Sequence, residues 1–194
     1  MKAGKFLLAL VLFLLTGRSL FSFDYNFSAI NDLIKSKDYK NAINLLLRTP
    51  QKDKFIYNKT GFCYYKLNMT VEAEKYYRKA IKSDANFATA YNNLGVLYYK
   101  NAKYDSALFY FKKALSKKTD YARVYINMAN IFLERGKFVE AYRLYRKARE
   151  IDSQYVKERL TRKKTLEKME YLKEKYPDKK VIIQRAAYKI DGKI

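Results

Sequence analysis

The chain has no histidine, no tryptophan, one cysteine, two prolines and six glycines among its 194 residues. Without histidine there is no Ser-His-Asp or Cys-His nucleophile, no His/Cys zinc cluster and no HExxH motif. The lone Cys63 cannot form an internal disulfide. Between Phe62 and Tyr64, in a helical pattern, it reads as a small buried core residue. Few glycines and prolines leave little material for the turns of a β-sandwich. Acids are scarce too: 19 Asp and Glu stand against 41 Lys and Arg, a net charge of +22. Such a charge either attracts polyanions and anionic surfaces or simply reflects a composition rich in Lys, Asn, Tyr, Phe and Ile. Among the acids, Glu72 and Glu74, Asp105, Glu134 and Glu140 fall on helix surfaces by their spacing, and no pair stands out for acid–base work. No phosphate-cradling GxxxxGK[ST] or GxGxxG loop occurs. The sequence therefore predicts a protein that is not an enzyme, with no cofactor and no metal.

What the chain does hold is apolar and aromatic material: 49% apolar residues, with 20 Tyr and 12 Phe, ample for a core. Ala88–Asp120 organises it. Tyr91, Leu94, Gly95 and Tyr98 mark one short amphipathic helix, and Tyr104, Ala107, Phe111, Ala114 and Leu115 a second. Small residues alternate with large ones, so the two helices can pack closely as an antiparallel pair. The pattern returns at a period of ~34 residues. Upstream stand Tyr57, Gly61, Tyr64, Ala73, Tyr77, Ala80 and Ile81; downstream, Tyr125, Met128, Ala129, Phe132, Phe138, Ala141, Tyr145 and Ala148.

These three units resemble the tetratricopeptide repeat family. The middle unit matches the family pattern at nearly every position. The upstream unit has Thr60 where Leu is expected, and the downstream one has Met128-Ala129 for Leu-Gly. The proline common near the repeat end is replaced by Ala85, Thr119 and Ser153. The resemblance implies an all-α fold: a right-handed superhelical array of antiparallel helix pairs, closed by a C-terminal cap helix.

Taken in order, residues 1–22 read as a signal peptide or N-terminal anchor. Two lysines precede the apolar run Phe6–Leu15, and Ser19 or Ser22 is a candidate last residue before cleavage. The run is short of the ~20 apolar residues of a membrane span. Residues 23–52 form a degenerate repeat, with Ile30, Leu33 and Ile34 on one helix and Tyr39, Ala42, Ile43, Leu46 and Leu47 on the next. Residues 53–155 hold the three tandem repeats, joined by turns at Asn68-Met69-Thr70, Asn101-Ala102-Lys103 and Arg135-Gly136-Lys137. Asn and Gly there suit a left-handed helix stop. Residues 156–176 are the cap helix, with Val156, Leu160, Leu166, Met169, Leu172 and Tyr176 in one stripe. Its Arg159, Arg162, Lys163 and Lys164 are either simply solvated or a seat for an anionic partner. Pro177 stops it. Residues 177–194 are the basic tail, in which Val181-Ile182-Ile183 reads as an edge strand or a docking segment.

The resemblance further implies that first helices line a concave groove for a partner peptide. In the upstream repeat the positions are Phe55, Asn58, Lys59, Phe62, Tyr65 and Lys66. In the middle repeat they are Thr89, Asn92, Asn93, Val96, Tyr99 and Lys100, and in the downstream repeat Arg123, Asn127, Asn130 and Glu134. All lie off the stripe of Tyr91, Leu94 and Tyr98. Asn can hold an extended backbone through both donor and acceptor, and Tyr supplies wide contact area with a polar tip. Members that clamp a C-terminal carboxylate match only in part: Asn93 and Arg123 fall on two of their positions, but Asn58, Phe62 and Asn127 depart from the other three. The reading is a non-enzymatic scaffold or adaptor of the cell envelope, exported and periplasmic or anchored. Its partner is another protein or a peptide. The alternative is a basic protein bound to an anionic envelope polymer, acidic lipid or nucleic acid. The export signal weighs against nucleic acid.

Overall fold

The computed structural model describes the backbone of residues 20–159 and 162–191 and the side-chain surroundings of residues 27–159 and 167–185. Most of the expected signal segment, residues 1–19, lies outside them. Leu20–Ser22 do not, and they open the first helix. The described residues are all helical apart from turns, with no strand among them. They form two compact units that divide between Ser83 and Asp84.

The first unit contains α1 (Leu20–Lys35), α2 (Tyr39–Arg48), α3 (Lys54–Lys66) and α4 (Thr70–Ser83), each packed on the next. Ile30, Ala42, Leu46, Ile56 and Cys63 fill its core. Leu47, expected on the apolar stripe of α2, is exposed. Asp53 begins α3 by accepting hydrogen bonds from the backbone N–H groups of Phe55 and Ile56. That satisfies donors the helix itself cannot pair. Buried Thr60 donates to the Ile56 carbonyl at 2.8 Å, which is how a hydroxyl sits where leucine is usual. Gly61 lets Tyr77 of α4 lie against the α3 backbone: a β-carbon there would be 2.7 Å from the ring.

The second unit begins with α5 (Ala88–Lys100), α6 (Tyr104–Lys117), α7 (Ala122–Glu134) and α8 (Phe138–Ile151). Helices α5 and α6 form one hairpin, α7 and α8 another, and α6 and α7 join them. The small-against-large rule repeats: Gly95 faces Phe111, and the buried pair Ala129 and Tyr145 stands one repeat later. After them come α9 (Ser153–Arg159), α10 (Arg162–Lys175), a 3₁₀ turn at Pro177–Lys179 and α11 (Lys180–Asp191). The stripe expected on a single cap helix is thus shared. Val156 is buried from α9, Leu172 from α10, and the side chains of Leu160 and Leu166 lie outside the described residues. The tail segment, expected as an edge strand or a docking segment, is not a strand: it is part of α11, which packs on α8 and α10. A lone strand would leave its backbone unpaired. As a helix it satisfies the backbone internally and turns Ile183 into the core at 2% exposure.

All four hairpin turns close the same way. The amide of Asp38, Met69, Lys103 or Lys137 bonds back to the carbonyl of Leu33, Tyr64, Tyr98 or Phe132. The residue before each donor is left-handed: Lys37, Asn68, Ala102 and Gly136, with φ between 55° and 68°. In the middle turn this position falls on Ala102 rather than on Asn101. The hydrogen-bond register of the turn decides the position, and the alanine takes a conformation that ordinarily costs about 1–2 kcal/mol.

Candidate functional site

The first helices carry the candidate surface, and each unit is described by itself. In the first unit, Phe55 is exposed and walls an open pocket of about 430 Å³ with Phe27, Asn31, Gln51 and Ile56. The Lys59 ammonium donates to Asn31 Oδ1 at 2.7 Å and lies 4.9 Å from the Phe27 ring. Burial pushes its pKa down, because the charged form loses water. Phe62 meets Tyr39 of α2 edge-on, with Lys66 over its other neighbour Tyr65 and over Phe62 itself. It therefore packs between hairpins. Asn58 and Tyr65 are half-buried. Cys63 sits beneath this surface, and burial raises its thiol pKa to about 11.

In the second unit the asparagines form a chain. Asn127 of α7 donates to Asn92 Oδ1 at 3.0 Å, and Asn92 donates to Asn93 Oδ1 at 3.2 Å. Asn92, expected on the surface, is 1% exposed. Its oxygen is paired across the two helices and its amide nitrogen along its own. Burial without such partners would be costly, so this position serves the scaffold rather than a ligand. Asn130 accepts from the buried Tyr145 hydroxyl of α8, so its oxygen is committed inside its own hairpin. Thr89, Asn93, Val96, Tyr99 and Asn127 are half-buried, and Lys100 is exposed. Val96 packs on the cluster around Phe111 and Val124. Arg123 is exposed; its Nε donates to the Tyr155 hydroxyl at 3.1 Å, and its guanidinium lies 5.6 Å from that ring. Arg159 approaches the same ring at 5.9 Å.

At the far end of α7 stands Glu134, whose side chain is 9% exposed. Lys168 and Lys175 of α10 both pair with it, the latter at 2.8 Å, and the Tyr171 hydroxyl donates to it at 3.0 Å. The Tyr176 hydroxyl donates to the Glu134 backbone carbonyl at 2.6 Å. Burial works against ionisation of this carboxyl, but the hydrogen bonds and charges of the two lysines outweigh it and hold its pKa below the ordinary value. Lys175 is correspondingly held above its own. Tyr99 of α5 borders the cluster. Burial first, and then the Glu134 charge, push its hydroxyl up to about 12.

Helix α10 thus bounds the α5–α7 surface at the Glu134 end, with Asn93, Arg123 and Asn127 nearer the helix starts. Tyr155 was legible by period, since it stands one repeat after Tyr121 and two after Phe87. Lys168, Tyr171 and Lys175 were not, being members of a dense charge run. Among the described residues no group of three or more His, Cys, Asp or Glu side chains is placed to hold a metal.

Three models of the tetratricopeptide repeat match this chain, at residues 56–87, 88–119 and 124–154. No curated protein matches it. Among solved structures, MamA from Desulfovibrio magneticus RS-1 superposes with a TM-score of 0.63 at 15% identity, over 86% of this chain and 92% of that one. The pilF protein of Pseudomonas aeruginosa gives 0.66 at 20% identity, over 86% and 73%. YrrB, described as a tetratricopeptide repeat protein with an unusual peptide-binding site, gives 0.56 at 20% identity, over 66% and 68%. At these identities the likeness is one of fold.

Proposed function

This chain belongs to the tetratricopeptide repeat family, and from that premise we propose that it is a non-enzymatic scaffold of the cell envelope that holds a partner peptide or protein against its first helices. The observation that carries the reading is the α5–α7 surface. One hydrogen bond, Asn127 to Asn92, bridges the two helices, Asn92 to Asn93 continues it along α5, and half-buried amide and aromatic side chains stand beside it. Such a surface binds at low ordering cost, because its groups are already positioned. The peptide-binding site attributed to YrrB supports the same use of the fold. The envelope assignment rests on the lysines and apolar run at residues 1–22.

The test is capture from envelope extract with the wild-type chain beside a Tyr65→Ala, Asn93→Ala, Arg123→Glu variant of matched helicity. Proteins held by wild type and lost by the variant name the partner and support the scaffold. If both retain the same proteins, and salt strips them, the first-helix surface is not the binding site.

A further inference from the structure

We propose that the outer face of the second helices, α6 and α8, docks on an anionic phospholipid surface. The inference is independent of the first-helix reading, because it concerns the opposite side of each hairpin. The buried positions of α6 and α8 are Ala107, Phe111, Ala114 and Ala141, Tyr145, Ala148. The residues turned away from them are Phe109 and Lys112 on α6, and Val139, Arg143 and Arg146 on α8, all exposed. Lys112 and Arg146 occupy the same place one repeat apart, and so do Lys113 and Lys147. The register recurs in the first unit, where Arg78 and Lys79 stand at those two places on α4.

Charge is sorted between the two sides. Helices α6 and α8 hold seven basic and three acidic residues, whereas α5 and α7 hold two and one. Among the described residues, Lys112 and Arg143 make no ion pair, and Arg146 and Lys147 share the single carboxylate of Glu150 at 3.6 and 3.5 Å. The excess positive charge therefore faces solvent uncompensated.

Two large apolar side chains stand on the same rows. Phe109 is 55% exposed and Val139 57%. Exposed Lys and Arg beside exposed apolar groups suit a bilayer interface, where cations reach phosphates while apolar groups enter the acyl boundary. A nucleic acid would pair with the cations but offers Val139 nothing. No helix among the described residues is long and apolar enough to cross a membrane, so this contact is peripheral. A single weak anchor gives only marginal binding and two together hold. The apolar run Phe6–Leu15 and this basic face are two such signals on one chain.

The test is flotation of the full-length chain with vesicles of phosphatidylcholine alone and of phosphatidylcholine with phosphatidylglycerol. The quantity read is the difference between the two, compared between wild type and variants that all keep the same N-terminal run and its two lysines. A Lys112→Gln, Arg143→Gln, Arg146→Gln variant loses on the order of a hundredfold in the anionic-lipid increment at low salt. A variant with the same charge loss in the turns (Lys37→Gln, Lys103→Gln, Lys137→Gln) loses no more than a few-fold. Phe109→Ser lowers the increment further at unchanged helicity. Equal loss in both triple variants shows that only bulk charge acts and overturns the proposal, as does no loss in either. Binding to a DNA duplex that is tighter than to the vesicles, and abolished by the outer-face variant, also overturns it.

Discussion

The α5–α6 hairpin and the seat of α10 on α7 are both helix contacts in one unit, but different forces dominate them. In the hairpin, the Phe111 ring is fully buried against Gly95, where a β-carbon would lie 2.4 Å from it. Ring lies on backbone there, and the strength of the contact is area removed from water plus close packing. At the seat of α10, Leu172 and Met169 supply the apolar part, and beside them Glu134 meets Lys168, Lys175 and Tyr171. That contact depends on charge, and so on pH and salt. The lesson is that the repeat body and its C-terminal cover can be loosened separately.

Phe111→Ala has the largest expected effect, a loss of about 3–5 kcal/mol from cavity formation and lost burial. Denaturant titration followed by tyrosine fluorescence and helicity reads it, and the loss is the same in low and high salt. A salt-dependent loss would erase the distinction drawn here.

Glu134→Gln comes next, at about 2 kcal/mol near neutral pH, the scale of charged hydrogen bonds. The folded pKa of this carboxyl is depressed, so its contribution is present above the unfolded value of about 4.3 and disappears as pH falls through the folded one. Wild type and variant therefore converge in acid, and salt narrows the gap at pH 7. Parallel stability curves across pH would show that the ion cluster does not hold α10.

Gly95→Ala is the smallest. Glycine to alanine inside an exposed helix stabilises by about 1 kcal/mol. Here the added methyl meets the Phe111 ring, and overpacking of about 1–3 kcal/mol reverses the sign. A gain in melting temperature would mean that the hairpin yields more easily than its packing implies.

The hairpins were legible because each reports itself locally. Small and aromatic residues recur at one period, and Gly61, Gly95 and Ala129 each announce a large partner on the next helix. The candidate surface was legible only in outline. Asn92 and Asn93 are neighbours of one type in the sequence, and only the position of Asn127 on α7 decides which is buried. Asn130 looks like a groove residue until Tyr145 claims its oxygen.

By itself the sequence determined the repeat family, the helix pairs and the lack of histidine-based chemistry, since composition and periodicity are properties of a linear string. Tertiary structure alone decided that Val181–Ile183 is helical, that Ala102 takes the left-handed position, and that Glu134 is the carboxylate covered by α10. Those outcomes depend on groups far apart in the chain. In a chain with 41 basic residues, no local pattern marks the two lysines that reach Glu134.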